Sequence, residues 1–332
     1  MKRLLILACT ISLIFGTYSC SNDFDLVDKW KDIPVVYGLL SAADDVHYVR
    51  VEKAFLDDNT SAFDIAQIAD SLYYDDAAVT LIRKSNDSRY TMTKVDGNLE
   101  GFMRDEGVFA NVPNYLYKLQ FPVNDSLVPG EVYQLEINRG DELSLVTAEA
   151  LILDHVLVKR PQEGTALGME FGNQTAFQWR FEKENAIFFD IYIDFYYNEI
   201  AGGVEELKSF RWMVENNISN DDFVPVLTYK FDNESFYSAI ANNIPVSTGE
   251  VREFEYMEFG VRAGGQEIYN YIQVNQVNTG ITGSQLLPNY TNMSEGYGIF
   301  SSTNSAFNTV FLNAATLDSL ENGIFTRNLN FQ

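Results

Sequence analysis

The chain has 332 residues, and 47 acidic against 23 basic side chains give a net charge of −24. Such a charge argues against nucleic-acid binding, because phosphates would be repelled, and against basic-patch attachment to anionic lipid. It suits an exported domain kept soluble by its charge. The length suggests about two domains. A hydrophobic content of 46% is ample for packed cores, and 24 Phe and 19 Tyr favour strands.

The chain opens MKRLLILACTISLIFGTYSC. Lys2 and Arg3 precede an apolar run from Leu4 to Phe15, too short for the roughly twenty residues of a membrane span. Charge, length and order match an export signal. Ser19 is small, and Cys20 follows it; the other cysteine, Cys9, lies inside the leader. The segment resembles a bacterial lipoprotein signal, which implies cleavage after residue 19 and lipid on Cys20. Tyr18 departs from the commonest form of that signal. The alternative is an ordinary signal peptide with an unmodified Cys20. Lipidation would explain the lone mature thiol, which would otherwise be open to oxidation or intermolecular pairing. Two or more acyl chains hold a protein stably on a membrane where one does not.

Residues 20–32 read as an acidic tether. Ser21, Asn22, Asp23, Phe24 and Asp25 resemble the signal that directs some Bacteroidetes lipoproteins to the outer face of the outer membrane. The other reading is a solvated linker near a terminus. The expected location is therefore the outer membrane, lipid-anchored, at the cell surface or else on the periplasmic face.

Beyond the tether, periodicity predicts strands nearly throughout. The runs are IPVVYGLL (33–40), VHYVRVEKAF (46–55), AVTLIR (78–83), YTMTKV (90–95), YKLQF (117–121), EVYQLEI (131–137) and LSLVTAEALIL (143–153). SAADD links the first two as a hairpin. AFDIAQIADSL (62–72) and NESFYSAIANN (233–243) have apolar residues at helical spacing. The clearest strand is NAIFFDIYIDFYYNE (185–199). Ile187, Phe189, Ile191, Ile193, Phe195 and Tyr197 fall on one face; Phe188, Asp190, Tyr192, Asp194 and Tyr196 fall on the other. VREFEYMEFGVRA (251–263) and EIYNYIQVNQV (267–277) are expected beside it as further strands. The polar stretch KRPQEGTALG (159–168) divides two strand series. The expected fold is all-β, with an N-terminal domain over 33–158 and a second antiparallel β-domain with short helices over 169–332.

Several of these segments resemble a family of Bacteroidetes outer-membrane lipoproteins catalogued as domain of unknown function 4249. The resemblance rests on the first strand pair, on Ala78, Val79 and Thr80 in one strand, and on Gly130, Tyr133 and Leu135 in a later one. GYGIFSS (296–302) is similar to a late Gly-Tyr-Phe segment of that family, with Gly298 and Ile299 inserted before Phe300. It implies a transthyretin- or immunoglobulin-like β-sandwich followed by a second β-domain. It implies no reaction.

The residues give little support to catalysis. His47 and His155 are the two histidines, both in strand-like apolar surroundings, and no nucleophile elbow, zinc signature or phosphate loop accompanies them. Asp190 and Asp194 would lie about 13 Å apart along a strand, beyond the separation of about 5–9 Å that paired glycosidase carboxylates need. The face bearing Asp190, Tyr192, Asp194 and Tyr196 could stack a sugar ring or meet a protein; the plainer reading is a half-solvated sheet face. Asp57, Asp58, Asn59 and Asp64 offer hard oxygen ligands for calcium, though a capped turn before the helix at 62 explains them equally. Three Asp-Ser-Leu tripeptides resemble the short Asp-Ser/Thr-hydrophobe acceptor for O-glycosylation in Bacteroidetes, which implies Ser71, Ser126 and Ser319 as candidate sites.

The function expected is a non-catalytic binding or accessory subunit of a cell-envelope assembly, of the TonB-dependent transport or secretion and gliding type, with no cofactor. The resemblance points to a β-barrel outer-membrane protein as partner. The alternative is a surface protein that binds or processes glycans.

Overall fold

The computed structural model describes residues 33–54, 62–140, 143–181, 185–220, 224–277 and 290–332. The fold is all-β, with several antiparallel sheets and a few short helices. One long sheet organises it. Its strands are β1 (Ile33–Leu40), β2 (Val46–Ala54), β5 (Thr93–Asp96), β6 (Tyr115–Gln120), β12 (Phe188–Ala201), β13 (Val204–Ser219), β15 (Val251–Gly264) and β16 (Tyr297–Leu312). They run in the order β13-β12-β15-β16-β1-β2-β6-β5, and the two-residue β10 (Ala166–Leu167) joins β16. Pairing within it is antiparallel except where β16 meets β1 and β10, both parallel.

Two smaller sheets cover one face, here the inner face. Strands β3 (Ala78–Arg83), β4 (Ser88–Thr91), β7 (Val132–Asn138) and β8 (Val146–Leu151) form the first, in the order β4-β3-β7-β8. Their apolar residues, among them Val79, Leu81, Tyr133, Leu135 and Ala148, pack on Val36, Val49, Val51, Tyr117, Leu119 and Phe300 of the long sheet. Strands β9 (Val156–Arg160), β11 (Gln174–Phe181) and β14 (Val226–Asp232) form the second. There Phe177, Trp179, Phe181 and Phe231 pack on Phe189, Ile191, Ile193, Phe195, Phe259 and Val310. The chain passes from one core to the other between Ile152 and Leu153. The stretch 159–168 holds the end of β9, a turn and β10.

Strand β16 serves both cores. Its even-numbered side chains face inward: Phe300 enters the N-terminal core, Val310 and Leu312 the C-terminal one. Between them, polar side chains hold the crossing segment. Ser302 Oγ donates to the Leu151 carbonyl at 2.5 Å and accepts from Leu153 N at 3.1 Å; Asn304 Oδ1 accepts from Val156 N at 3.1 Å. Asn308 Nδ2 donates to the Pro161 carbonyl at 2.9 Å.

The alternation expected in β12 holds, with Phe189, Ile191, Ile193, Phe195 and Tyr197 all inward. Helix α3 (Asn233–Asn243) also falls where its spacing placed it, burying Phe236, Tyr237 and Ile240. Three expectations need correction. Residues 267–277 are not a strand: Gln266–Val277 form helix α4, with Ile268, Tyr271 and Ile272 on one side at the i, i+3, i+4 spacing of a helix. Residues 62–72 form two short helices, α1 (Ala62–Ala66) and α2 (Ala69–Leu72), because Ile68 takes an extended conformation (φ −98°, ψ 105°) between them. YTMTKV splits at Met92 into β4 and β5, which belong to different sheets. A last helix, α5 (Ala314–Asn322), is capped by Asn313 Oδ1, which accepts from Thr316 N at 2.9 Å.

Candidate functional site

The outer face of the long sheet carries two features on either side of α4. This helix leaves the end of β15 and lies across the sheet. Its Tyr269 ring sits 6.0 Å from Phe188 on β12, and its Ile268, Tyr271 and Ile272 face Tyr37 and Leu39 of β1.

On the β12 side, cross-strand pairing assembles an aromatic and charged surface. Asp194 lies between Arg211 on β13 and Glu258 on β15; Tyr192 lies between Met213 and Gly260; Tyr196 lies between Ser209 and Tyr256. Gly260 is followed across the sheet by Phe307 on β16. Arg211 grips Asp194 with two bonds, Nε to Oδ1 and Nη2 to Oδ2, each 2.7 Å, the bidentate geometry that suits a guanidinium. The same guanidinium lies over the Tyr192 ring, 3.9 Å from its centroid. Tyr192 is only 7% exposed, and its ring occupies the space that a Cβ at Gly260 would need, 2.2 Å from Cζ. Burial, before any charge, pushes the Tyr192 phenol up. Tyr196 stacks on Tyr256 with centroids 4.4 Å apart, and its hydroxyl donates to Glu258 Oε2 at 3.2 Å. Burial first, then Glu258, pushes its phenol up to about 12. Asp190 Oδ1 accepts from Asn217 N at 2.9 Å.

Of the four residues singled out on this face, Tyr192 and Asp194 are therefore engaged in cross-strand packing, and Tyr196 and Asp190 are half-buried. What the face presents to solvent comes largely from residues that strand alternation in β12 did not reveal. Phe307 is 55% exposed, Phe311 44% and Met213 40%. β13, the outermost strand, is 16 residues long and, among the described residues, pairs along one edge only.

On the β1 side, α4 and the sheet enclose a cleft of about 460 Å³. Tyr37, Leu39 and Ile299 form its floor, Tyr48, Arg50 and Leu116 continue it across β2 and β6, and Phe102 and α4 close it. Burial, then the neighbouring Tyr271 phenol, pushes Tyr37 up to about 12. A second hollow of about 670 Å³ adjoins it through Leu39, Tyr48 and Phe102 and carries Asp44 and Asp45. Sequence reading missed this cleft. The helical spacing of Ile268, Tyr271 and Ile272 was the available signal for its lid.

The remaining candidates are scattered. Cys20, Ser21, Asn22, Asp23, Asp25, Asp57, Asp58 and Asn59 lie outside the described residues. Asp64 is exposed on α1, and the described residues contain no group of three or more His, Cys, Asp or Glu that could hold a metal. Ser126 is exposed on the loop before β7; Ser71 on α2 and Ser319 on α5 are half-buried, and Ser319 Oγ donates to the Ala315 carbonyl at 3.0 Å. His47 is buried against Phe121, and burial holds its imidazole below the ordinary value. His155 is exposed just before β9. No helix among the described residues is long and apolar enough to cross a membrane.

Residues 22–308 match the model of the family described as Domain of unknown function (DUF4249). No curated protein matches. One solved structure, described as the crystal structure of CBD12 from CALX1.2, aligns with 84% of this chain and 99% of that chain at 11% identity, with a TM-score of 0.18. So low a score carries no argument.

Proposed function

We propose, on the premise that the chain belongs to the family described as Domain of unknown function (DUF4249), that it is a non-catalytic accessory subunit of a cell-envelope assembly. It is held on the outer membrane by lipid on Cys20 and docks through the outer face of its long sheet. The observation that carries this reading is the exposed row of Met213, Phe307 and Phe311 beside the Tyr196–Tyr256 stack. Aromatic and Met side chains are enriched where protein interfaces concentrate their energy. Of the charged groups on that face, Asp194 and Arg211 are already paired, and Glu258 accepts a hydrogen bond from Tyr196. The leader and Cys20 support the membrane attachment, and the family resemblance supports a β-barrel partner of the TonB-dependent transport or secretion and gliding type.

The test is gentle extraction of the tagged chain from its own outer membrane, with identification of what accompanies it. A barrel protein in constant ratio is expected. Phe307→Glu with Phe311→Glu should remove it while thermal stability shifts by no more than about 0.5 kcal/mol, as for surface substitutions. Recovery of the chain alone, or a partner retained by the double variant, would overturn the docking face. The stacked Tyr196–Tyr256 pair beside Glu258 favours the second reading, glycan binding, and retention of a polysaccharide by the isolated chain that Tyr196→Ala abolishes would establish it instead.

A further inference from the structure

We infer that the cleft between α4 and β1–β2 is a binding site for a single-chain anionic amphiphile, an acyl chain ending in a carboxylate. Nothing in this inference depends on the docking face. The volume, about 460 Å³, lies within the range of small-molecule sites, which are mostly apolar with a few placed polar groups. Leu39, Leu116, Phe102, Ile268, Ile272 and Ile299 supply an apolar wall drawn from three strands, one loop and a helix. A compact or highly polar ligand would leave that wall unmatched; a flexible chain would fill it.

The polar end is marked by Arg50. Its Nη1 donates both to Glu52 Oε1 at 3.0 Å and to Asn114 Oδ1 at 2.8 Å. Glu52 Oε1 also accepts from Arg104 Nη2 at 2.6 Å. Among the described residues, one carboxylate thus serves two guanidiniums, all three largely buried, with side-chain exposures of 23%, 14% and 18%. Beside them Lys118 and Glu100 neutralise each other, 2.6 Å apart. Arg50 is the one charged side chain among the described residues that line the cleft, and a cation held in a mostly apolar site favours an anionic partner. The head group cannot lie the other way, because Asp44 and Asp45 line the adjoining hollow. A carboxylate at Arg50 matches the guanidinium fork, and the chain then runs along Leu39 and Ile299 beneath Ile268 and Ile272.

The experiment is calorimetric titration of the full chain, freed of detergent, with decanoate, dodecanoate and the neutral dodecanol. One dodecanoate should bind per chain, about fifteenfold more tightly than decanoate, which is shorter by two methylenes, and at least about tenfold more tightly than dodecanol. Arg50→Gln should erase the preference for the acid while dodecanol binds within about twofold of its original affinity. Leu39→Trp, at a half-exposed floor position, should fill the cleft and abolish binding of both; Ile272→Trp does the same from the helix side should Leu39→Trp fold poorly. Absence of saturable binding, or binding unchanged by a folded cleft-filling variant, would overturn the site. Equal affinity for acid and alcohol would overturn the assignment of the head group.

Discussion

At the scale of single residues, the deepest electrostatic commitment is Arg252 on β15, which is fully buried. Its Nε donates to Glu199 Oε2 at 2.9 Å, its Nη2 to Glu250 Oε1 at 2.8 Å, and its Nη1 to the carbonyls of Pro245 at 3.0 Å and Leu329 at 2.7 Å. Glu199 also accepts from Lys208 on β13. A buried guanidinium is tolerated because every direction of its fork meets an acceptor. The bond from Lys208, then Arg252, holds the Glu199 carboxyl below its ordinary value of 4.5. A carboxyl depressed on folding stabilises above its unfolded pKa, and that contribution is lost as pH falls through 4.5 toward the folded value. Glu199→Gln should therefore destabilise the chain by about 1–3 kcal/mol at neutral pH, the cost of a hydrogen bond to a charged partner. Its deficit against the wild type should shrink as pH drops below 4.5, measured by urea denaturation across pH 3–7. A deficit independent of pH would mean that the charge on Glu199 contributes nothing.

At the scale of elements, the parallel junction between β1 and β16 rests on two glycines. Gly296 and Gly298 have φ of +90° and +113°, which L side chains rarely adopt. A Cβ at Gly298 would lie 1.8 Å from the Val36 carbonyl oxygen, and one at Gly296 would lie 2.1 Å from that of Pro34. Gly298→Ala combines backbone strain with overpacking and should cost about 3 kcal/mol or more, read as a lowered urea midpoint. A midpoint within error of the wild type would show that β16 can shift away from β1 without loss. The same elements show what local pattern can and cannot reveal. β12 and α3 were legible because one face of each is buried and the other less so, which imposes a clean period. β13 was not, since an edge strand reading VEELKSFRWMVENNIS has polar groups on both faces. α4 was misread because its aromatic and β-branched residues favour strands by composition while their spacing favours a helix. The β1–β16 pairing joins residues more than 250 positions apart, and no local periodicity encodes such a contact. Of the candidate face, Tyr192 and Asp194 were placed correctly on one side of β12. Their cover came from Arg211, on the strand that periodicity could not find.

At the scale of the whole molecule, two large hydrophobic cores share a single covering sheet, beside a small cluster of Leu72, Tyr73 and Ala110. Chains of this size with two cores commonly unfold in stages. Here β16 opposes that tendency. Residues 298–302 pair with β1 and set Phe300 in the N-terminal core; residues 303–310 pair with β15 and set Val310 in the other. The bonds from Ser302, Asn304 and Asn308 to the segment 151–161 tie the crossing between cores to the same strand. Neither core can open fully without withdrawing part of β16 or exposing apolar residues on it. Hydrogen exchange followed along a urea series should therefore show β3 and β7 losing protection at the same urea concentration as β12 and β15. Gly298→Ala should lower that common midpoint for both sets. If β3 and β7 exchange freely while β12 and β15 stay protected, the sheet joins the two halves in space without coupling their stability. A partner or ligand seated on one half of the outer face would then leave the other half's stability unchanged, whereas coupled cores would carry the stabilisation across both.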